Sequence, residues 1–201
     1  MKNNNKLIQL NKDPLDLFAK WYNEAKKMEI NDPNAMNLST VSINNRPTSR
    51  IVLLKSFNKN GFVFYTNALS KKGKSLALNK YTALNFHWKS LLKQVRIEGS
   101  VTRVNNKIAD EYFNTRPINS RIGAWASSQS NLLKDRPELI KKFEKIKKKF
   151  SKTPIYRPNN WTGYVVNPIL IEFWQDMPFR LHDRVEYKKI GKNWKSRNLY
   201  P

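Results

Sequence analysis

Short apolar runs of strand length dominate this chain, with stretches of helical spacing set between them. Asp13-Pro14 reads as the N-cap and first residue of a helix to about Met28, with Leu15, Phe18, Tyr22 and Ala25 on one side. Asp32-Pro33 marks a turn before a strand over 35–43, and Asn44-Asn45 turns the chain into RIVLLKSFNKNGFVFYTNALSKKGK, residues 50–74. Residues 50–55, four apolar positions between two cations, are too few for a helix and predict a strand. Asn60-Gly61 predicts a tight hairpin turn, because both residues tolerate the positive φ it needs, and 62–67 is then the partner strand. In a regular strand Arg50 and Lys55 project from opposite faces, one cation for each of two anionic ligands. Ser70 caps a short helix through Leu78 whose cationic start, Lys71, Lys72 and Lys74, attracts phosphate.

Residues 82–88 and 94–104 read as strands, the second with Val95, Ile97, Gly99 and Val101 on one face and Gln94, Arg96 and Glu98 on the other. A helix over 106–115 stops before Pro117, and 116–130, RPINSRIGAWASSQS, has no clean period. Residues 135–150 predict a helix with Leu139, Phe143, Ile146 and Phe150 inward and Lys141, Lys142, Lys145, Lys148 and Lys149 outward. Two strand segments, 161–166 and 169–175, are interrupted at Asn167-Pro168; a loop, RLHDR at 180–184, leads to a hairpin of 185–190 and 194–199 around Gly191-Lys192. Seven or eight short strands without βαβ alternation predict a mainly β fold, an antiparallel barrel with helices packed outside. Residues 1–12 are polar and expected to be loose; 13–201 read as a single domain.

Composition narrows the chemistry. The 201 residues contain no cysteine, which excludes disulfides, thiolate metal sites and thiol catalysis, and only His87 and His182, which excludes a histidine-rich metal cluster. No run approaches the roughly 20 apolar residues of a membrane span, and the opening lacks the apolar core of a secretory signal, so a soluble cytoplasmic protein is the default. The formal charge of +23 favours anionic partners: nucleic acid, acidic membrane or phosphorylated small molecules. Much of the lysine lies on the helix at 135–150, where a solvated face is the commoner cause. There is no nucleophile-elbow serine, no GxGxxG and no phosphate loop of the GxxxxGKS/T type. What the chain offers is cations, amides, hydroxyls and rings, a set suited to binding an anionic aromatic cofactor that carries the reaction itself.

Eight blocks then fall in the order of a known family: RIVLLK at 50–55, FYTN at 64–67, SKKG at 70–73, QVRIEG at 94–99, YFNTRPINSRIGAWASSQS at 112–130, IEFWQ at 171–175, RLHDR at 180–184 and the terminal WKSRNLYP. With them the chain resembles the pyridoxine/pyridoxamine 5′-phosphate oxidases over nearly all of 13–201. The resemblance implies a split β-barrel homodimer with a C-terminal dimerisation region and FMN in clefts at the subunit interface. It implies flavin contacts from Arg50, Ile51, Val52, Leu53, Leu54, Lys55, Tyr65, Thr66, Lys71, Lys72, Gln94, Gln129, Ser130, Trp174 and Arg184. Substrate contacts are implied for Lys55, Tyr112, Arg116, Ser120, Arg180, Leu181 and His182, with Tyr112, Arg116 and Ser120 on the phosphate and Arg180 and His182 orienting the reacting carbon.

The implied reaction is oxidation of pyridoxamine or pyridoxine 5′-phosphate to pyridoxal 5′-phosphate, with dioxygen as acceptor and hydrogen peroxide released; no metal, nucleic acid or membrane takes part. The competing readings are a flavin-dependent relative with another substrate and a basic nucleic-acid-binding module. Physics agrees with the division of residues, since a phosphate dianion takes several charge-assisted donors and arginine offers it a planar fork. Two departures stand out. Lysine occupies position 71 where the family usually has arginine, and the family's N-terminal arm, with its arginine and tyrosine, has no evident counterpart in 1–12.

Overall fold

The computed structural model describes residues 7–201. Helix α1 (Pro14–Met28) begins as its sequence dictates: the Asp13 carboxylate accepts the Leu15 N–H at 2.9 Å, and Pro14 occupies the first turn. Its buried stripe is Leu17, Phe18, Trp21 and Ala25, with Leu15 and Tyr22 at the margin. The predicted stripe is thus rotated, because Trp21 turns inward to meet Phe173 edge-on at 5.2 Å.

Among the described residues nine strands form one antiparallel sheet: β1 (Ala35–Val41), β2 (Pro47–Leu53), β3 (Ser56–Asn58), β4 (Gly61–Asn67), β5 (Tyr81–Trp88), β6 (Lys93–Arg103), β7 (Trp161–Gln175), β8 (Asp183–Ile190) and β9 (Asn193–Asn198). The order is β2-β1-β5-β6-β7-β4-β3, with β8 on the far half of β7 and β9 on β8. The sheet curls around α1 as a split barrel. Met36, Leu38, Leu84, Phe86, Val95, Ile97, Ile171 and Phe173 point into the enclosed core, where Phe18 meets Phe57 and Phe62 edge-on at 4.9 Å.

Three further expectations change. The hairpin loop is Lys59–Asn60, between β3 and β4; residues 50–53 pair with β1 instead, and only Lys55 reaches across, donating its N–H to Val63 at 2.8 Å. Gly61 supplies the positive φ, 128°, and a Cβ there would overlap the Val166 carbonyl. Second, Asn167-Pro168 does not break β7. A register shift between Glu98 and Gly99 absorbs the proline, which has no N–H to offer, and the bare Gly99 admits the Asn167 carbonyl. Third, the aperiodic stretch contains helix α4 (Ile118–Ala126), which buries only Ile122 and Ala126 and so leaves little hydrophobic signature.

Helix α2 (Lys71–Leu78) has the predicted Ser70 cap, accepting the Gly73 N–H at 3.3 Å. Helices α3 (Asn106–Thr115), α4 and α5 (Arg136–Lys149) enclose a second apolar cluster of Phe113, Ile122, Phe150, Ile155 and Trp161 against the start of β7. Residues 1–6 of the expected loose tip lie outside the described residues. From Ile8 onward the segment is fastened to β8: the Ile8 N–H donates to Asp183 Oδ2 at 2.6 Å, and Asn11 exchanges two backbone bonds with the Tyr187 hydroxyl at 3.1 Å. Among the described residues no helix is long and apolar enough to cross a membrane, and no group of three or more acidic or histidine side chains is placed to hold a metal ion.

Candidate active site

A cleft of about 490 Å³ opens where the end of β2, the middle of β4, the start of α2 and the C-terminal end of α3 converge. Ile51, Val52, Leu53, Lys55, Tyr65, Thr66, Lys72, Tyr112, Arg116, Ser120 and Gln129 line it, bringing eleven of the sequence-derived residues together, with Thr115, Pro117 and Trp161 added. No lining residue is acidic.

Lys72 is the unusual group at its floor. Only 9% exposed, it donates to Thr66 Oγ1 and Gln129 Oε1, both at 3.2 Å, and meets no carboxylate there. Burial, and then the nearby Arg50 charge, hold its pKa below the ordinary lysine range. An ammonium kept in such a place is stabilised by an anion. Arg50 itself is tied down, donating to Leu38 O, Thr40 Oγ1 and Thr48 Oγ1 at 3.2, 2.7 and 2.6 Å, and acts on the cleft through its charge. Because β2 ends at Leu53, strand alternation does not separate Arg50 from Lys55 as expected.

Arg116 also lines the cleft. Its guanidinium lies 4.9 Å above the Trp161 ring and 5.5 Å from Phe113, with Nη1 buried and unpartnered. Burial lowers its pKa and Tyr112 partly offsets this. Below it the rings of Trp161, Tyr65 and Tyr112 are near parallel, Tyr65 and Tyr112 4.0 Å apart. Burial first, then Tyr112 and Glu111, push the Tyr65 hydroxyl up, so it stays a neutral donor. Cations without carboxylate partners beside a stack of rings make a lining suited chemically to anions and a flat apolar body.

The other sequence-derived residues lie elsewhere on the chain. Trp174, Arg180 and His182 line a second cleft with His87, Lys89, Leu92 and Asp176, sharing no residue with the first. There His182 Nδ1 lies 2.8 Å from Asp176 Oδ1 and 3.3 Å from the Met177 N–H, and its ring meets Trp174 at 4.7 Å. Phe179 and Arg180 hold positive φ, 60° and 61°, a strained pair for residues with a Cβ. Leu181 is exposed. Gln94 pairs with Trp174 across β6 and β7. Arg184 donates twice to Glu172 Oε1 and once to the Tyr200 carbonyl. Leu54 is buried in the core, and Lys71 and Ser130 are exposed outside the first cleft. Trp161 carries no sequence signal beyond being aromatic, because its neighbours come from three separate stretches.

This is the build of a split-barrel protein with a cationic, ring-lined cleft. The chain matches the family model described as pyridoxamine 5′-phosphate oxidase over residues 23–150, and that of the pyridoxine 5′-phosphate oxidase C-terminal dimerisation region over 161–201. It is 53% identical over 191 residues to a pyridoxine/pyridoxamine 5′-phosphate oxidase of Pelagibacter ubique, covering 94% of this chain and 92% of the relative. The Gluconobacter oxydans enzyme of the same name is 49% identical over 195 residues, covering 97% and 98%. Among solved structures, PhzG from Burkholderia lata, in complex with tetrahydrophenazine-1-carboxylic acid, superposes with a TM-score of 0.90 at 27% identity, covering 95% of this chain and 94% of that one. An FMN-binding protein of Nostoc punctiforme shares the fold at a TM-score of 0.75 and 14% identity, covering 96% and 100%. The chain belongs to the pyridoxamine 5′-phosphate oxidase family.

Proposed function

We propose that this chain is an FMN-dependent oxidase converting pyridoxamine or pyridoxine 5′-phosphate to pyridoxal 5′-phosphate, acting as a cytoplasmic homodimer. The observation that carries the reading is the pair of cations lining one cleft, Lys72 buried and Arg116 half-buried with its Nη1 unpartnered, beside a stack of rings and with no acid among the lining residues. Two such seats suit two phosphoesters. The residues present fit FMN: the phosphate of the cofactor at Lys72 and the capped start of α2, its charge further offset by Arg50 and Lys55. Held there, FMN would supply the redox chemistry, acceptance of a hydride from C4′ of the substrate and reoxidation by dioxygen to hydrogen peroxide.

The protein's work is positioning. Arg116 takes the substrate phosphate in its fork, with the Tyr112 and Ser120 hydroxyls as further donors. Arg180 and His182 orient the reacting carbon, and Asp176 holds the imidazole by its Nδ1 edge. Since the two groups line separate clefts of one chain, a second copy brings the 180–184 loop, Gln94 and Trp174 to the first cleft of its neighbour. The match of 161–201 to a dimerisation region supports that arrangement.

The test has two parts. Purified protein is yellow and releases peroxide with pyridoxine 5′-phosphate; a colourless preparation that takes up no FMN would end the reading. Arg116→Ala and Arg180→Ala homodimers are each impaired, while a mixed dimer regains close to half the native activity, because one of its two clefts then holds both arginines. A mixed dimer no better than its parents contradicts the shared site.

A further inference from the structure

Arg157 takes no part in either cleft, yet it joins the two elements that make the phosphate seat. It lies in the connector ahead of β7 with its side chain only 10% exposed. Its Nε donates to Asp110 Oδ1 at 2.6 Å, its Nη2 to Asn106 Oδ1 at 3.1 Å and its Nη1 to the Trp161 carbonyl at 2.6 Å. Asn106 and Asp110 are one turn apart on α3, so the guanidinium grips one face of that helix with one edge and the backbone of Trp161 with another. The same α3 carries Tyr112 and ends at Arg116, and the ring of Trp161 is the surface on which Arg116 rests.

Resting on the function proposed above, we propose that Arg157 is a positioning residue for the substrate phosphate: it fixes α3 against Trp161 and thereby sets where the Arg116 fork stands. The two arginines on either side of Trp161 do opposite things. Arg157 satisfies three protein acceptors, whereas Arg116 keeps a buried Nη1 open. Phe113 also meets Trp161, edge-on at 5.1 Å, but an apolar contact resists separation while permitting sliding. Directional bonds from a rigid planar group fix the register as well. A fork displaced by a fraction of an ångström loses one of its parallel bonds to a phosphate, and the loss falls on the phosphate alone.

The test compares FMN-loaded native enzyme with Arg157→Gln and Arg157→Lys, using 4-deoxypyridoxine 5′-phosphate as probe. That compound has nothing to oxidise at C4′ and no aldehyde to react with lysines. By ultrafiltration Arg157→Gln binds it roughly tenfold more weakly, a loss of the size that misplacement of a positioning group brings. KM for pyridoxine 5′-phosphate rises in step, kcat stays within about twofold and FMN content is kept. Arg157→Lys, with a single donor centre, recovers part of the loss. Unchanged probe affinity overturns the proposal, as does a fall in kcat with KM retained. If Arg157→Gln does not fold, Asp110→Asn applies the same test with a smaller shift in the same direction, and no shift there overturns it. Native enzyme that fails to bind the probe at all marks a failure of the proposed function, not of the positioning role.

Discussion

The guanidinium of Arg116 is supported by the face of Trp161, 4.9 Å away, and not by a carboxylate. A π face stabilises a cation without neutralising it. The full positive charge therefore remains available to a phosphate, which a salt-bridged arginine such as Arg184 on Glu172 does not offer to the same degree.

Replacing Arg116 by Ala removes that seat. The expected outcome is a rise in KM for pyridoxine 5′-phosphate of roughly ten- to hundredfold, the range for losing charge-assisted hydrogen bonds, with a smaller change in kcat. On the proposed role of Arg180 at the reacting carbon, Arg180→Ala lowers kcat as well. Steady-state kinetics on both variants separates the roles; matching changes in both parameters at both positions contradict the split.

Lys72→Ala leaves a cofactor phosphate short of its buried partner. FMN affinity falls roughly ten- to hundredfold, and part of the flavin is lost during gel filtration. Flavin absorbance per protomer measures it. Full retention rules out a major phosphate role for Lys72.

The pH dependence of the FMN-free protein follows from the depressed Lys72 pKa, caused by burial and then by Arg50. Below that folded-state value the native protein carries the whole cost of a buried charge. As pH rises through it the folded chain sheds a proton that the unfolded chain still holds, so stability increases until unfolded lysine titrates too. Lys72→Met is therefore more stable than the FMN-free native chain at neutral pH, and the gain shrinks at alkaline pH, as the buried ammonium loses its proton. Thermal melts at the two pH values check this, and a gain independent of pH contradicts it.

Gly61→Ala combines a strained φ with overlap of the Val166 carbonyl. The variant loses on the order of 2 kcal/mol or more in denaturant unfolding, and β4, which carries Tyr65 and Thr66, shifts away from β7. Native-like stability would mean the strand pair tolerates a wider spacing than it shows.

The sequence makes legible what neighbouring residues decide. Asp13-Pro14 and Ser70 announce their helices because cap and helix lie within one turn, and the buried face of β6 is visible from its alternation. Lys72 is marked by the capped cationic start of its helix, whereas Arg116 is assigned to a phosphate only through a family resemblance; from composition alone each is one cation among 38. Trp161 is not legible, since its role depends on Tyr65, Tyr112 and Arg116, and the pairing of Arg184 with Glu172 depends on two strands meeting in register. The turn at Lys59–Asn60 is displaced by one residue from its signal because the close approach of β7 decides where the glycine stands.

Strand β7 is the common neighbour of β4, β6 and β8. It arrives roughly a hundred residues after β4, so during translation the apolar faces of the earlier strands wait uncovered until it leaves the ribosome. Until then the shelter falls to helix α1 and to Leu76 of α2, which belong to the same core cluster, and a chain stalled at that stage is open to aggregation.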